Sequence, residues 1–200
     1  MSAMPATMPA WERHEVIGRT DPRWKRLHAI IEERSLKRGD FTLSSGAKST
    51  FLFQLRQTTM FPEGQHLVGT VIEEFMKTKG LRTIGGLEMG AVPIVGAVAF
   101  ASFAAGNPVD AFFVRKQPKP HGAKELIDGE LKDGADVLMV DDVTTTGGSV
   151  IKAIDNAMTE RKFSVRWALS IVDRDEGGAS NLGRRGIALA SIFTRQDFGL

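Results

Sequence analysis

Two adjacent carboxylates, Asp141 and Asp142, stand between an apolar run, Val137 to Val140, and a stretch rich in hydroxyls and glycine, Val143 to Ser149. Val150, Ile151, Ile154 and Met158 then recur at helical spacing, so the stretch joins a strand's carboxyl end to a helix N-terminus. Gly147 and Gly148 permit close backbone approach, which leaves amide N–H groups free to converge on phosphate oxygens, and the helix dipole favours the same charge. Thr144, Thr145, Thr146 and Ser149 add hydroxyl donors suited to a phosphate monoester. A carboxylate pair repels phosphate. Asp141 and Asp142 are therefore better suited to accept hydrogen bonds from sugar hydroxyls, or to help hold a magnesium ion beside the sugar.

A second chemical stretch is Arg115-Lys116-Gln117-Pro118-Lys119-Pro120-His121-Gly122. Its prolines and glycine exclude a continued helix, and Arg115, Lys116, Lys119 and His121 give an exposed loop the charge to meet a polyanion such as pyrophosphate. Arg174 is a planar fork that fits a carboxylate bidentately. Its acidic neighbours Asp173, Asp175 and Glu176 leave a surface ion-pair cluster as the ordinary reading of that segment.

These residues need a scaffold, and the chain supplies alternating elements. Asp21-Pro22 predicts a helix that Gly39 ends, and Pro62-Glu63 predicts another that Gly80 ends. Thr83 to Leu87, Ala111 to Val114, Val137 to Val140 and Val165 to Val172 read as strands, with helices at Ala91 to Ala105 and Ser149 to Arg161. The expected fold is α/β: a central, mostly parallel sheet flanked by helices, with ligands at the strands' carboxyl ends. Phe41 to Arg56 falls outside the alternation and predicts a small N-terminal hood with the first helix, a natural lid. Residues 1–20 read as a flexible lead-in and 21–200 as a single domain, with the hood elements in 21–60.

Composition narrows the function classes. The 200 residues are 42% hydrophobic and 25% charged, enough for one substantial core. A net charge of +2 is nearly balanced and is weak evidence for nucleic-acid binding, and the absence of cysteine excludes disulfides, cysteine nucleophiles and cysteine metal sites. Met1 to Ala10 lacks the features of a secretory signal, and no run has membrane-spanning length, so a cytoplasmic protein is expected. The glycine turn is not a Walker loop, because no Gly-Lys-Ser/Thr follows, and it lacks the Gly-x-Gly-x-x-Gly of dinucleotide sites.

Val137 to Ser149 resembles the phosphoribosyl pyrophosphate (PRPP) loop of type I phosphoribosyltransferases. Arg115-Lys116 with Lys119 and His121-Gly122 resembles the mobile catalytic loop of one branch, the orotate phosphoribosyltransferases. Phe41 to Gly46 with Ser49 resembles that family's substrate-side segment, Gly86 to Pro93 its pyrophosphate-side loop, and Val172-Asp173-Arg174 its orotate-contacting segment. The resemblance implies the type I fold with a hood. It also implies a homodimer whose loop, here 115–128, crosses into the partner's active site, and Mg²⁺-dependent transfer of ribose 5-phosphate from PRPP to orotate in pyrimidine (UMP) biosynthesis. It places Arg115, Lys116, Lys119, His121 and Asp141 to Ser149, Val143 included, on PRPP. Lys119, His121, Asp141 and Asp142 become catalytic, and Thr145 and Arg174 contact orotate. No metal ligand is assigned directly, since Mg²⁺ would be held mainly through PRPP. Two lysines common in the family are replaced, one by Ser44 and one within Met89-Gly90, which shifts charge neutralisation towards Mg²⁺ and the basic loop. Two other readings remain: a PRPP-sensing regulator without transfer, and a purine-type phosphoribosyltransferase, which needs no arginine for a base carboxylate.

Overall fold

A computed structural model describes residues 13–42, 46, 48–118 and 125–200. The main sheet has seven strands: β1 (His14–Glu15), β4 (Thr83–Gly86), β5 (Asp110–Val114), β6 (Ile127–Gly129), β7 (Asp136–Thr144), β8 (Ser164–Asp173) and β9 (Ala188–Thr194). Their order is β1-β9-β8-β7-β4-β5-β6, and every pairing is parallel except that of β6 with β5. A separate antiparallel ribbon, β2 (Leu36–Thr42) and β3 (Lys48–Phe53), forms the hood together with α1 (Pro22–Arg34).

The core divides as the pleat of β7 requires. Leu138 and Val140 face a cluster built with α3 (Pro62–Lys79) and α4 (Ala91–Ala104), while Val137 and Met139 face α5 (Gly148–Met158) on the other side. Both predicted starts hold: Asp21 caps α1 by accepting from the Arg23 amide (2.8 Å), and Pro62 opens α3, which Gly80 closes in the left-handed region (φ 68°). Among the described residues no helix is long and apolar enough to cross a membrane.

The first helix is shorter than predicted. It stops at Arg34, and Gly39 does not cap it but lies within β2, at φ 148°, where the β2–β3 register shifts between Arg38 and Phe41. Cross-strand pairing and burial of Leu36 override local helix propensity there, and glycine serves a bulge instead. Strand β7 is longer than its apolar run and carries Asp141 and Asp142 inside the sheet rather than in the turn. Within the expected lead-in, His14 and Glu15 pair with Ala190 and Ser191 of β9, and residues 1–12 lie outside the described part.

Helices α3 and α4 meet closely at Gly69, where an added Cβ would lie 2.7 Å from the Ala97 carbonyl oxygen; at Gly96 it would meet nothing within 4 Å. Gly69→Ala is expected to cost about 1–3 kcal/mol through overpacking. Gly96→Ala should instead stabilise by roughly 0.5–1 kcal/mol. Thermal melts of the two variants check the pair; equal shifts would contradict the close crossing.

Candidate active site

The last residues of β7 form the floor of the site. Asp141 is buried (8% exposed), and its Oδ1 accepts from the Asp142 amide at 3.0 Å, while Asp142 Oδ1 accepts from the Val143 amide at 2.9 Å. Burial, and then the charge of Asp142, push the Asp141 carboxyl well above its ordinary range, and a hydrogen bond with Ser149 opposes this only in part. Above them, a Cβ at Gly90 would come within 2.6 Å of Asp142 Oδ1 and 3.3 Å of Asp141 Oδ1. A side chain at position 90 would therefore have to displace the Asp142 carboxylate from its present position.

The turn after β7 hands over to α5. Gly147 stands at φ 78°, and α5 begins at Gly148 with no side-chain cap, so its first amides remain available to a ligand. Thr146, Gly148 and Ser149 are exposed and Thr145 is half-buried, whereas Thr144 is almost fully buried (1%). Thr144 continues the sheet beside Asp173, and its amide donates to Ser170 Oγ (3.0 Å). Its Oγ1 is buried without a partner. Asn181 Nδ2 donates to the Thr146 carbonyl (2.9 Å) and tethers the loop to α6 (Gly178–Gly183).

A cavity of about 300 Å³ lies over the acid pair, walled by Arg56, Glu88, Met89, Gly90, Lys116 and Ser149. The Glu88–Met89 peptide is cis. Glu88 does not cap α4; its Oε1 accepts from the Lys116 amide at 2.8 Å and fixes the root of the basic loop. Lys116 reaches the cavity, but the Arg115 guanidinium is paired with Asp128 of β6. Lys119 and His121 lie outside the described residues. Arg56 was not foreseen: it follows the hood strand in a short helix, α2 (Arg56–Thr59), with no motif around it, and only the fold brings it opposite Asp142. With Lys116 it gives the cavity two cations despite Gly90.

Arg174 follows β8 and is 6% exposed. Its amide donates to the Thr144 carbonyl (2.9 Å), which joins it directly to the start of the glycine-rich turn. Its guanidinium lies 4.5 Å over the Phe51 ring, is 3.4 Å from Ser49 Oγ and pairs with Glu176 at 2.8 Å, while its Nε is buried without a partner. It is therefore not the surface ion pair of the ordinary reading. A cavity of about 620 Å³ opens against it, lined by β3 residues Lys48 to Phe51. The next residues, Leu52 to Gln54, line a cavity of about 810 Å³ that reaches Asp142 and Arg56, so one strand borders both halves of the site. Phe51 and Phe53 are core residues in edge contact (5.8 Å), and Phe51 also faces the Arg174 cavity.

Residues 60–181 match the family described as a phosphoribosyl transferase domain, the class that this sheet and loop define. An orotate phosphoribosyltransferase of Bradyrhizobium sp. is 45% identical over 177 residues, 86% of this chain and 95% of that protein. The one of Aquifex aeolicus is 42% identical over 172 residues, 84% and 93% respectively. The Mycobacterium tuberculosis orotate phosphoribosyltransferase superposes with TM-score 0.78 at 32% identity, over 90% of this chain and 100% of that one. Its PRPP complex superposes with TM-score 0.75 at 31% identity and the same coverage. The chain belongs to the orotate phosphoribosyltransferase family. An adenine phosphoribosyltransferase from Leishmania donovani, at 13% identity and TM-score 0.67, shares the fold alone.

Because its folded-state pKa is raised, Asp141 favours folding below the ordinary carboxylate pKa and costs stability as pH rises through the shifted value. Asp141→Asn should therefore melt higher than the parent at pH 7 and lose that advantage near pH 3, while kcat/KM falls about ten- to hundredfold, the scale of one charged hydrogen bond. Melting curves at both pH values and steady-state rates check this; a variant less stable at pH 7 would contradict the assigned burial. Gly90→Ala should weaken PRPP binding by displacing Asp142, read by calorimetry.

Proposed function

We propose that the chain transfers ribose 5-phosphate from PRPP to N1 of orotate, with inversion at the anomeric carbon, giving orotidine 5'-monophosphate and pyrophosphate. The observation that carries this reading is the backbone link between Arg174 and Thr144. It sets a buried carboxylate-binding guanidinium beside the turn that suits a sugar phosphate. In this reading Thr145 to Ser149 and the amides opening α5 hold the 5-phosphate, with Thr144 packed beneath them. Asp141 and Asp142 accept from the ribose hydroxyls. Thr145 borders the orotate ring and Arg174 takes its carboxylate.

As the bond to pyrophosphate breaks, the sugar gains oxocarbenium character and the leaving group gains charge. Arg56 and Lys116 face the cavity where that charge develops. Lys119 and His121 belong to the same loop, from which they would neutralise or protonate the leaving group. Arg115, paired with Asp128, serves the loop's root unless closure releases it. The acid pair offers the hard oxygen ligands that a divalent ion takes, and PRPP oxygens would complete the shell of a Mg²⁺ ion. When bound, that ion would supply charge neutralisation at the pyrophosphate. The loop expected at 115–128 is shorter than that, since Ile127 and Asp128 belong to β6 and pair with β5; closure of the loop between β5 and β6, from a homodimer partner in the family's arrangement, would exclude water from the activated sugar.

The test is turnover of the purified chain with PRPP and Mg²⁺, offered orotate, uracil, hypoxanthine or adenine. Loss of orotate absorbance with no reaction of the other bases is expected; turnover of a purine base, or PRPP binding without turnover, would support the other two readings. Arg174→Ala should lower kcat/KM for orotate by at least about a hundredfold, since a buried charge-assisted pair is lost. Lys119→Ala should lower kcat at saturating magnesium, and unchanged turnover would remove that lysine from the leaving-group role.

A further inference from the structure

The cavity in front of Arg174 contains a second guanidinium that neither the basic loop nor the sugar-phosphate turn uses. Arg195 opens the 3₁₀ turn Arg195–Phe198 that follows β9 and lines the same cavity as Arg174, Ser49 and Phe51. Its Nε is buried without a hydrogen-bond partner, as is that of Arg174. An arginine with a purely structural role would be expected to pair with a nearby carboxylate. None of the nearby carboxylates pairs with it: Asp197 accepts from the Thr194 amide (2.8 Å) and from Arg19 (2.8 Å), Asp175 is bound by Arg13 and by Gln196 Nε2 (3.3 Å), Glu176 pairs with Arg174 (2.8 Å), and Asp40, which lines the same cavity, forms no ion pair with Arg195. Among the described residues, the Arg195 guanidinium is left with no ion pair.

The turn that carries Arg195 is firmly held. Thr194 and Asp197 form a reciprocal capping box, Phe198 is buried, and its ring stacks on His28 at 4.5 Å between centroids, nearly parallel. Arg195 is therefore presented to the cavity by a rigid support, which lowers the entropic cost of using it. Arg174, in contrast, already carries Glu176 at 2.8 Å. An incoming carboxylate must share that guanidinium with Glu176 or displace it, and an unpaired cation lining the same cavity removes the conflict. Lys48, the other cation of the cavity, donates to Thr42 Oγ1 at 2.7 Å.

We propose that Arg195 is a specificity-determining residue that contacts the acceptor's carboxylate together with Arg174. The inference rests on the proposed orotate reaction and adds a residue to it from the C-terminal segment. Its test uses Arg195→Met, which keeps the aliphatic stem and removes the charge, and Arg195→Lys, which keeps the charge. Expected for Arg195→Met is a KM for orotate raised about tenfold, the equivalent of one charge-assisted hydrogen bond, with kcat and the KM for PRPP within about twofold of the parent. Arg195→Lys should recover part of the loss. Calorimetry supplies a readout that a packing defect would not move: the preference for orotidine 5'-monophosphate over UMP, which lacks the carboxylate, should fall about tenfold in Arg195→Met while UMP affinity is kept. An unchanged KM for orotate, or equal weakening of both nucleotides, would overturn the role of Arg195. A parent enzyme that does not turn over orotate would overturn the reaction itself, before any variant is compared.

Discussion

The structure depends on a carboxylate pair placed where a folded protein least accommodates one. Asp141 is buried at the end of an interior strand, next to a second carboxylate, and among the described residues no lysine or arginine is bonded to either. Desolvation and mutual repulsion both oppose its ionisation, which is why its carboxyl is pushed upward. Nothing in the fold needs this arrangement for stability. The proposed role, accepting from sugar hydroxyls beside a bound cation, would account for it, and the surroundings are compatible with that role: glycine at 90 leaves the carboxylates room, and the uncapped amides that open α5 remain available to a phosphate.

The hood gives this floor its second half. Strand β3 passes from the cavity of Arg174 to that of Asp142 within six residues, at roughly 3.3 Å per residue, so the two cavities, the proposed acceptor and donor regions, are spaced by a single element. Phe51 has its ring under the Arg174 guanidinium, and Phe53 anchors the same strand against Phe198. The C-terminal turn, the hood and the carboxyl end of the sheet therefore share one aromatic cluster. Among the described residues, the wall of the Arg174 cavity is consequently held by core packing.

Much of this was legible in the sequence because the chemistry and the periodicity coincide. The apolar run before Asp141, the Thr-Gly turn and the helical spacing after Ser149 are local signals, and α3 could be read from Pro62 to Gly80. What failed was non-local. Leu36 to Thr42 has no strand signal strong enough to outweigh the helix before it, and only pairing with β3 makes it a strand. Strands β1, β6 and β9 complete the sheet without having been assigned, although Ile187 to Phe193 is an apolar run of ordinary strand length. Arg56 and Arg195 carry no motif, and they reach the site only because α2 and the last turn fold back over it. Its acidic neighbours alone make Arg174 one member of a charged surface cluster; the family resemblance assigns it to orotate instead, and its burial sets the cluster reading aside.

The central claim, that the acid pair at the end of β7 reads the sugar's hydroxyls, is tested most directly by comparing PRPP with its counterpart lacking the ribose 2-hydroxyl. Binding of each in the presence of magnesium is measured by calorimetry to the parent and to Asp142→Asn. The expected result is weaker binding of the deoxy compound to the parent by about tenfold, and a much smaller difference in the variant, because the two changes remove the same interaction. Equal binding of both compounds to the parent would contradict the account.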